Sequence, residues 1–186
     1  MSPREKTDLS SFENSSYDPG APFIIRGIWY VVSMVFFQAG LFPVSSFRKF
    51  LLNIFGAKIG RNVVIRSGVR IKYPWFLKTG NGVWIGEKVW IDNLCMVTIG
   101  NNVCISQGAF LLTGNHDYSN RSFDLFVKEI ILEEGVWLGA KTVVCPGVRC
   151  KSHSVLGVGA VAVKDLDEYS VYAGNPAVKV RERSVQ

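Results

Sequence analysis

From Leu132 to Val163 a small or aliphatic residue returns at every sixth position: Leu132, Leu138, Val144, Cys150, Leu156 and Ala162. A period of six fits neither the 3.6 of a helix nor the two of a plain strand, so the chain is read first as a repeat. If each hexad is one short strand plus a corner, every sixth side chain points into the same interior column, and three sides close one coil. Residues such as Val143, Val144, Pro146, Gly147 and Val148 suit that plan, with β-branched positions for the strand and Gly where the corner needs positive φ. The expected architecture is a β-solenoid.

The same step runs earlier through Ile59, Ile65, Ile71 and Leu77, then Ile85, Ile91 and Val97, then Ile99, Ile105 and Leu111. It slips between residues 77 and 85 and between 97 and 99. It is absent between Thr113 and Ile131, where TGNHDYSNRSFDLFVKEI carries no six-fold pattern. A solenoid tolerates an insertion only by extruding it from a corner, so a loop at about 113–131 is expected to leave the coil and to carry function. It contains His116.

With 186 residues, 48% of them hydrophobic, the chain can bury a sizeable core as one domain with an N-terminal appendage. The net charge of +6 suits an anionic cofactor or a membrane surface. No Lys/Arg run exceeds two residues and no nucleic-acid motif is present, which argues against DNA or RNA as a partner. The four cysteines (Cys95, Cys104, Cys145, Cys150) lack CxxC spacing and read as reduced core thiols of a cytoplasmic protein, with no metal expected.

Residues 1–21 are polar and Ser-rich and read as a flexible arm, whose Phe12 and Tyr17 could dock on a neighbour. Residues 22–56 read as a helical cap. Pro22 starts a first, strongly apolar helix that Gly40 to Pro43 stops, and Ser45 or Ser46 caps a second, SFRKFLLNIF, closed by Gly56. In the second, Phe47, Phe50, Leu51, Ile54 and Phe55 share one face with Arg48 and Lys49 off it. The apolar core of the first falls short of the ~20 residues a span needs. Two placements compete. Both helices can pack on the open end of the solenoid. Alternatively the first lies in a membrane interface, with Trp29 and Tyr30 at headgroup level and Arg26, Arg48 and Lys49 on anionic lipid, a peripheral association at the inner face. Residues 57–186 form the solenoid and its C-terminal tail. Tyr73, Trp75, Phe76, Trp84 and Trp90 are too wide for a narrow interior and are expected on outer faces. Trp90, followed by Ile91, Asp92 and Asn93, also resembles a sugar pocket, a flat ring beside a carboxylate and an amide.

The runs VWLGAKTVVCPGV, VLGVGAVAVKDL and YAGNPAVKVR, with the prelude FRKFLLNIFGAKIG and the loop TGNHDY, resemble the hexapeptide-repeat acyltransferases, in particular the colanic-acid-type polysaccharide O-acetyltransferases. That resemblance covers about Ala57 to Arg183. It implies a left-handed parallel β-helix, a handedness that six-fold spacing alone does not reveal. It further implies a homotrimer with active sites between adjacent subunits, acetyl-CoA as donor, and a sugar or polysaccharide precursor as acceptor.

Acetyl transfer to a hydroxyl requires removal of the hydroxyl proton, a task suited to a neutral imidazole. Only His116 and His153 are available; His116 matches the family's catalytic position and is assigned as the general base, while His153, in the corner KSHS, is read as solvated. By resemblance the backbone N–H of Ala140, after Trp137, Leu138 and Gly139, serves the thioester oxyanion, where relatives often carry Ser. The pantetheine arm then runs by Gly139, Val158 and Val163, and Lys164, Lys179 and Arg181 meet the cofactor phosphates. Similar sugar acetyltransferases place Asn where Asp92 stands here. Asp92 can hold the acceptor, orient His116 or end a strand, and Asn93, Asn115 and Asp117 complete the acceptor-side candidates. No Ser-His-Asp or Cys-His set is suggested, so direct transfer in a ternary complex is preferred.

Three other readings compete. A metal-dependent hydratase resembling the γ-class carbonic anhydrases needs three His ligands, which His116 and His153 can hardly supply. A non-catalytic trimeric scaffold would keep the repeats but need neither His116 nor the Ala140 groove. An antibiotic or amine acceptor would keep the chemistry and change the substrate.

Overall fold

A computed structural model of the chain describes residues 6–39 and 44–184. About five coils stack into a three-sided parallel β-solenoid. Face one holds β1 (Val64–Ile65), β4 (Trp84–Ile85), β7 (Cys104–Ile105), β12 (Trp137–Leu138) and β15 (Val155–Leu156), and is extended by β17 (Ser170–Ala173) and the antiparallel β18 (Val178–Glu182). Face two holds β2 (Arg70–Ile71), β5 (Trp90–Asp92), β8 (Phe110–Leu112), β13 (Val143–Val144) and β16 (Val161–Ala162). Face three holds β3 (Leu77–Thr79), β6 (Val97–Ile99), β11 (Ile130–Leu132) and β14 (Arg149–Cys150).

The six-step residues form the interior. Ile65, Ile71, Ile85, Ile91, Ile105, Leu111, Leu138, Val144, Leu156 and Ala162 are all buried. Each large aliphatic side chain removed from water in this way contributes about 1.5–3 kcal/mol. A second interior column, not read from the sequence, lies two residues earlier in each hexad: Val63, Val69, Val83, Val89, Val103, Ala109, Val136, Val148 and Ala160 are equally buried.

That second column explains the slips. Val97 and Ile99 both point inward because they are the two interior positions of one strand, and Leu77 and Thr79 pair with them in register. Ile71 to Thr79 and Ile91 to Ile99 therefore take eight steps instead of six, and Leu111 to Leu132 takes twenty-one. All three additions fall at the same edge, between faces two and three. The edge between faces one and two has no additions: Gly86–Val89, Ser106–Ala109, Gly139–Thr142 and Gly157–Ala160 each turn in four residues.

Before the solenoid come α1 (Phe23–Ser33), a wide π-helical turn (Met34–Gln38) and α2 (Ser45–Ile54). The stop expected at Gly40 to Pro43 lies outside the described residues. Trp29, placed at headgroup level in the membrane reading, is instead buried, and its indole N–H donates to the Ile71 carbonyl (2.9 Å), pinning α1 across face two. In α2 the buried face is rotated from the expected one, keeping Leu51 and Phe55 against the core. Phe50 and Ile54 are exposed, while Arg48 is buried, its Nε donating to Phe36 O and its Nη1 to Ile65 O, both at 3.1 Å. Two carbonyls at the mouth of the first coil make a charged donor the better fit there than an aliphatic side chain. Among the described residues no helix is long and apolar enough to cross a membrane.

Residues 6–21, read as a flexible arm, lie against the solenoid. Asp8 N–H donates to Arg121 O (2.9 Å), Tyr17 O–H to Leu94 O (2.7 Å), and the Trp75 indole to Pro19 O (2.8 Å). Phe12 and Tyr17 therefore dock on their own chain.

Candidate active site

The extruded segment is a β-hairpin, β9 (Gly114–His116) against β10 (Leu125–Val127), with His116 opposite Leu125. Its base is fixed to the neighbouring corner by Thr113. The buried Thr113 hydroxyl donates to Asp92 O (3.1 Å) and accepts from Leu94 N–H (2.8 Å). Gly114 packs so closely on Leu94 that a Cβ there would collide with that side chain.

His116 is half-buried, stacked flat on Phe123 (4.6 Å, 8°) and flanked by Phe12 (5.6 Å). Its Nδ1 lies 2.8 Å from the Phe123 carbonyl oxygen. A carbonyl can only accept, so Nδ1 carries the proton and Nε2 of the neutral ring keeps its lone pair. Nε2 has no hydrogen-bond partner among the described residues. Phe123 presents that carbonyl from φ +54°, a conformation costly for an aromatic residue and of the kind that collects at functional sites. Nothing in the sequence marks Phe123 for this role.

His116 opens onto a cavity of about 550 Å³ also lined by Phe12, Tyr17, Arg26, Lys72 and Tyr73. Burial, then the neighbouring Tyr73, Cys95 and Asp92, push the Tyr17 phenol well above its ordinary value, so it stays a neutral donor to Leu94. Beside this cavity, and sharing Arg26, Lys72 and Tyr73 with it, is a second of about 580 Å³ beneath α1.

The acceptor-side candidates divide. Trp90 and Asp92 line the second cavity: Trp90 is 40% exposed and stacks on Phe110 (4.6 Å), and Asp92 pairs with Lys72 (3.3 Å). Asn93 is fully buried. Its Oδ1 accepts from the N–H groups of Lys72 and Tyr73 and its Nδ2 donates to Tyr73 O, so the amide staples two coils together and faces no cavity. Asn115 is exposed and accepts from His116 N–H (2.8 Å). Asp117 closes the hairpin turn through the Ser119 hydroxyl and amide, which hold its carboxyl below the usual range. His153, read as solvated, is half-buried at a left-handed corner (φ +58°), stacked on Tyr169 and packed over Gly135.

The cofactor-side candidates also fall in separate places. Gly139, Ala140 and Val158 lie at the regular edge, with Trp137 on the adjoining strand donating to Ser106 Oγ (3.0 Å). Gly139 N–H donates to Leu156 O (2.8 Å), whereas Ala140 N–H donates to no described residue. A Cβ at Gly139 would meet the backbone of Leu156 and Val158 at 2.8 Å, so the groove floor admits only glycine. Val158 and Val163 are exposed. Val163 and Lys164 follow β16 at the irregular edge. Lys179, paired with Glu182 (2.7 Å), and Arg181 lie on β18. Ala140 and His116 thus sit on different edges of one chain, separated by face two, roughly 15 Å of extended backbone. The four cysteines are free; Cys150 alone is fully buried, and Cys95, Cys104 and Cys145 are half-buried.

A stacked three-sided coil built on a six-residue step is the hexapeptide-repeat architecture, and the fold matches solved structures of that class. A hexapeptide-repeat acetyltransferase from Vibrio cholerae, complexed with acetyl coenzyme A, aligns with a TM-score of 0.80 at 18% identity over 95% of this chain and 97% of that one. The shared fold is the left-handed parallel β-helix. Over 176 residues the chain is 39% identical to an Escherichia coli K12 protein assigned as the colanic acid biosynthesis acetyltransferase WcaF, covering 95% of this chain and 97% of the relative. It is 29% identical to the Escherichia coli galactoside O-acetyltransferase, over 73% of this chain and 68% of that one. No family model matches. The chain belongs to the colanic-acid-type hexapeptide-repeat acetyltransferases, and is therefore an acyltransferase.

Proposed function

We propose that this chain transfers an acetyl group from acetyl-CoA to a hydroxyl of a sugar or polysaccharide precursor, with His116 as general base, in a homotrimer. The observation that carries the reading is the Nδ1 contact of His116 to the Phe123 carbonyl, which leaves Nε2 as a proton acceptor on a cavity wall. Acetyl-CoA supplies the acetyl thioester. His116 Nε2 takes the acceptor's hydroxyl proton as the new C–O ester bond forms and the C–S bond breaks, and the imidazolium then returns the proton to the thiolate. The free N–H of Ala140 is the donor for charge developing on the thioester oxygen.

The separation of His116 from Ala140 supports the trimer. One chain carries the base on its irregular edge and the oxyanion donor on its regular edge, so a cyclic arrangement that sets one edge against the other completes a site between copies. Gly139, Val158 and Trp137 would line one wall of that cleft, and Val163 and Lys164 the other, with Lys179 and Arg181 near its end. The sugar acceptor draws support from the names of the relatives, one named for colanic acid biosynthesis and one for galactosides. On this reading the three-part division is an arm (1–21), a cap (22–56) and a catalytic solenoid (57–186). Incubating protein and acetyl-CoA with free, nucleotide-linked and lipid-linked sugars, and weighing the products, tests the proposal. An acetylated sugar is expected; acetylation of amines or antibiotics only would replace it.

A further inference from the structure

The cavity beneath α1 has more positive charge than a neutral sugar needs. Arg26, Arg70 and Lys72 face it, against the single carboxylate of Asp92. Arg70 and Lys72 are two residues apart, so both point outward from face two, under the helix that Trp29 pins to Ile71. Arg26 stands one helical turn before Trp29. Asp92 engages Lys72 (3.3 Å), leaving two guanidinium groups whose recorded contacts are aromatic: Arg26 over Phe23 (5.7 Å) and Arg70 over Trp90 (5.8 Å). Arg26 also carries a buried Nε without a hydrogen-bond partner. A buried guanidinium N–H left unmet is costly, and a bidentate oxyanion is the ligand that its geometry fits. Arg26, Lys72 and Tyr73 form the common wall between this cavity and the one holding His116, so a ligand anchored at the cations can extend to the base.

We propose that Arg26, Arg70 and Lys72 form a phosphate subsite, and that the acceptor is a glycosyl phosphate or diphosphate whose sugar passes between Arg26 and Tyr73 to reach His116. This rests on acetyl transfer at His116 and names the acceptor class for that site. The phosphate could belong to a soluble nucleotide or to a lipid carrier. The lipid case has room beside the cleft, where Phe23 (80%), Ile24 (71%) and Tyr30 (63%) of α1 are exposed.

The test compares acetylation of four forms of one sugar: the methyl glycoside, the 1-phosphate, a nucleotide diphosphate conjugate, and a short prenyl diphosphate conjugate in detergent. Phosphorylated forms should have a KM at least ten-fold below the methyl glycoside, and the better of the two diphosphates identifies the source. Arg26→Gln and Arg70→Gln should each raise that KM ten-fold or more, a larger rise than for the methyl glycoside, and leave the KM for acetyl-CoA within two-fold. Unchanged thermal melting will show that both variants fold. Inorganic pyrophosphate should compete with the acceptor and not with acetyl-CoA. Equal KM values for neutral and phosphorylated forms, or pyrophosphate competing with acetyl-CoA alone, would overturn the subsite. If no sugar is acetylated, the transfer reading fails on its own. Calorimetry of pyrophosphate with CoA present then decides the subsite: binding lost in Arg26→Gln supports it, and binding unchanged refutes it.

Discussion

The two solenoid edges that flank face two are made from the same repeat and have diverged completely. At the edge between faces one and two, every corner turns in four residues, and what it offers a ligand is backbone: the free Ala140 N–H and a glycine floor at Gly139. At the edge between faces two and three, additions after Ile71, Ile91 and Leu111 build side chains outward, ending in the hairpin that carries His116. Regularity suits a feature made of main chain, because stacked coils place amides reproducibly. Acid–base chemistry needs a particular side chain at a particular height, and that requires breaking the repeat.

Three changes probe this contrast, in order of expected effect. His116→Ala should lower kcat by about 10² to 10⁴, the usual worth of general-base assistance, while CoA binding and melting temperature hold. Near-normal turnover would remove the base from the irregular edge. Ala140→Pro should cost about 10² to 10³ in kcat by deleting one oxyanion donor. Proline is tolerated sterically there, since Ala140 is the second residue of a turn with Lys141 at φ +58° and Thr142 N–H to Gly139 O at 3.4 Å. Lys141→Ala, in the same corner, should change turnover less than two-fold, because its side chain packs over Gly108 and the proposed oxyanion donor in that corner is main chain.

The next two concern stability. Thr113→Val removes the hydroxyl that accepts from Leu94 and Cys95 N–H, leaving Leu94 N–H only its longer bond to Asp92 O (3.2 Å) and Cys95 N–H no described partner, and should cost roughly 1–3 kcal/mol in denaturant unfolding, with a loss of turnover as the hairpin loosens. The smallest effect is alkaline. Burial pushes the Cys150 thiol up to about 12, while an unfolded chain releases that proton near pH ~8.5. Between those values the unfolded state binds fewer protons, so stability falls as pH rises, having been fully present below ~8.5. Cys150→Ala should flatten that alkaline slope, and an unchanged slope would assign it elsewhere.

The six-fold column was legible because each interior residue lacks a polar alternative: Ile, Leu, Val and Ala recur where only apolar side chains fit. The companion column two residues earlier has no signature beyond ordinary strand alternation, so in the sequence Val97 and Ile99 read as a slip although they belong to one strand. A period also cannot say which corner of a triangle absorbs an addition, and the common edge emerged only from the strand pairing. Arg48 and Asn93 were misplaced for one reason. Arg48 Nε and Nη1 bond carbonyls of the π-helical turn and the first coil, at Phe36 and Ile65, Asn93 bonds main chain at Lys72 and Tyr73, and main-chain partners leave no trace in side-chain patterns. His116 stood out as a histidine in the one unpatterned loop, but the Phe123 carbonyl that sets its tautomer did not.

Whether the site is split between two edges, and completed between copies, can be settled by mixing two inactive variants. His116→Ala damages only the irregular edge and Ala140→Pro only the regular one. Equal amounts, unfolded and reassembled together, should regain about one quarter of wild-type turnover, since random mixing gives that share of clefts two intact walls. Turnover no greater than the two variants show separately would mean that base and oxyanion donor act within one chain, and would contradict the account.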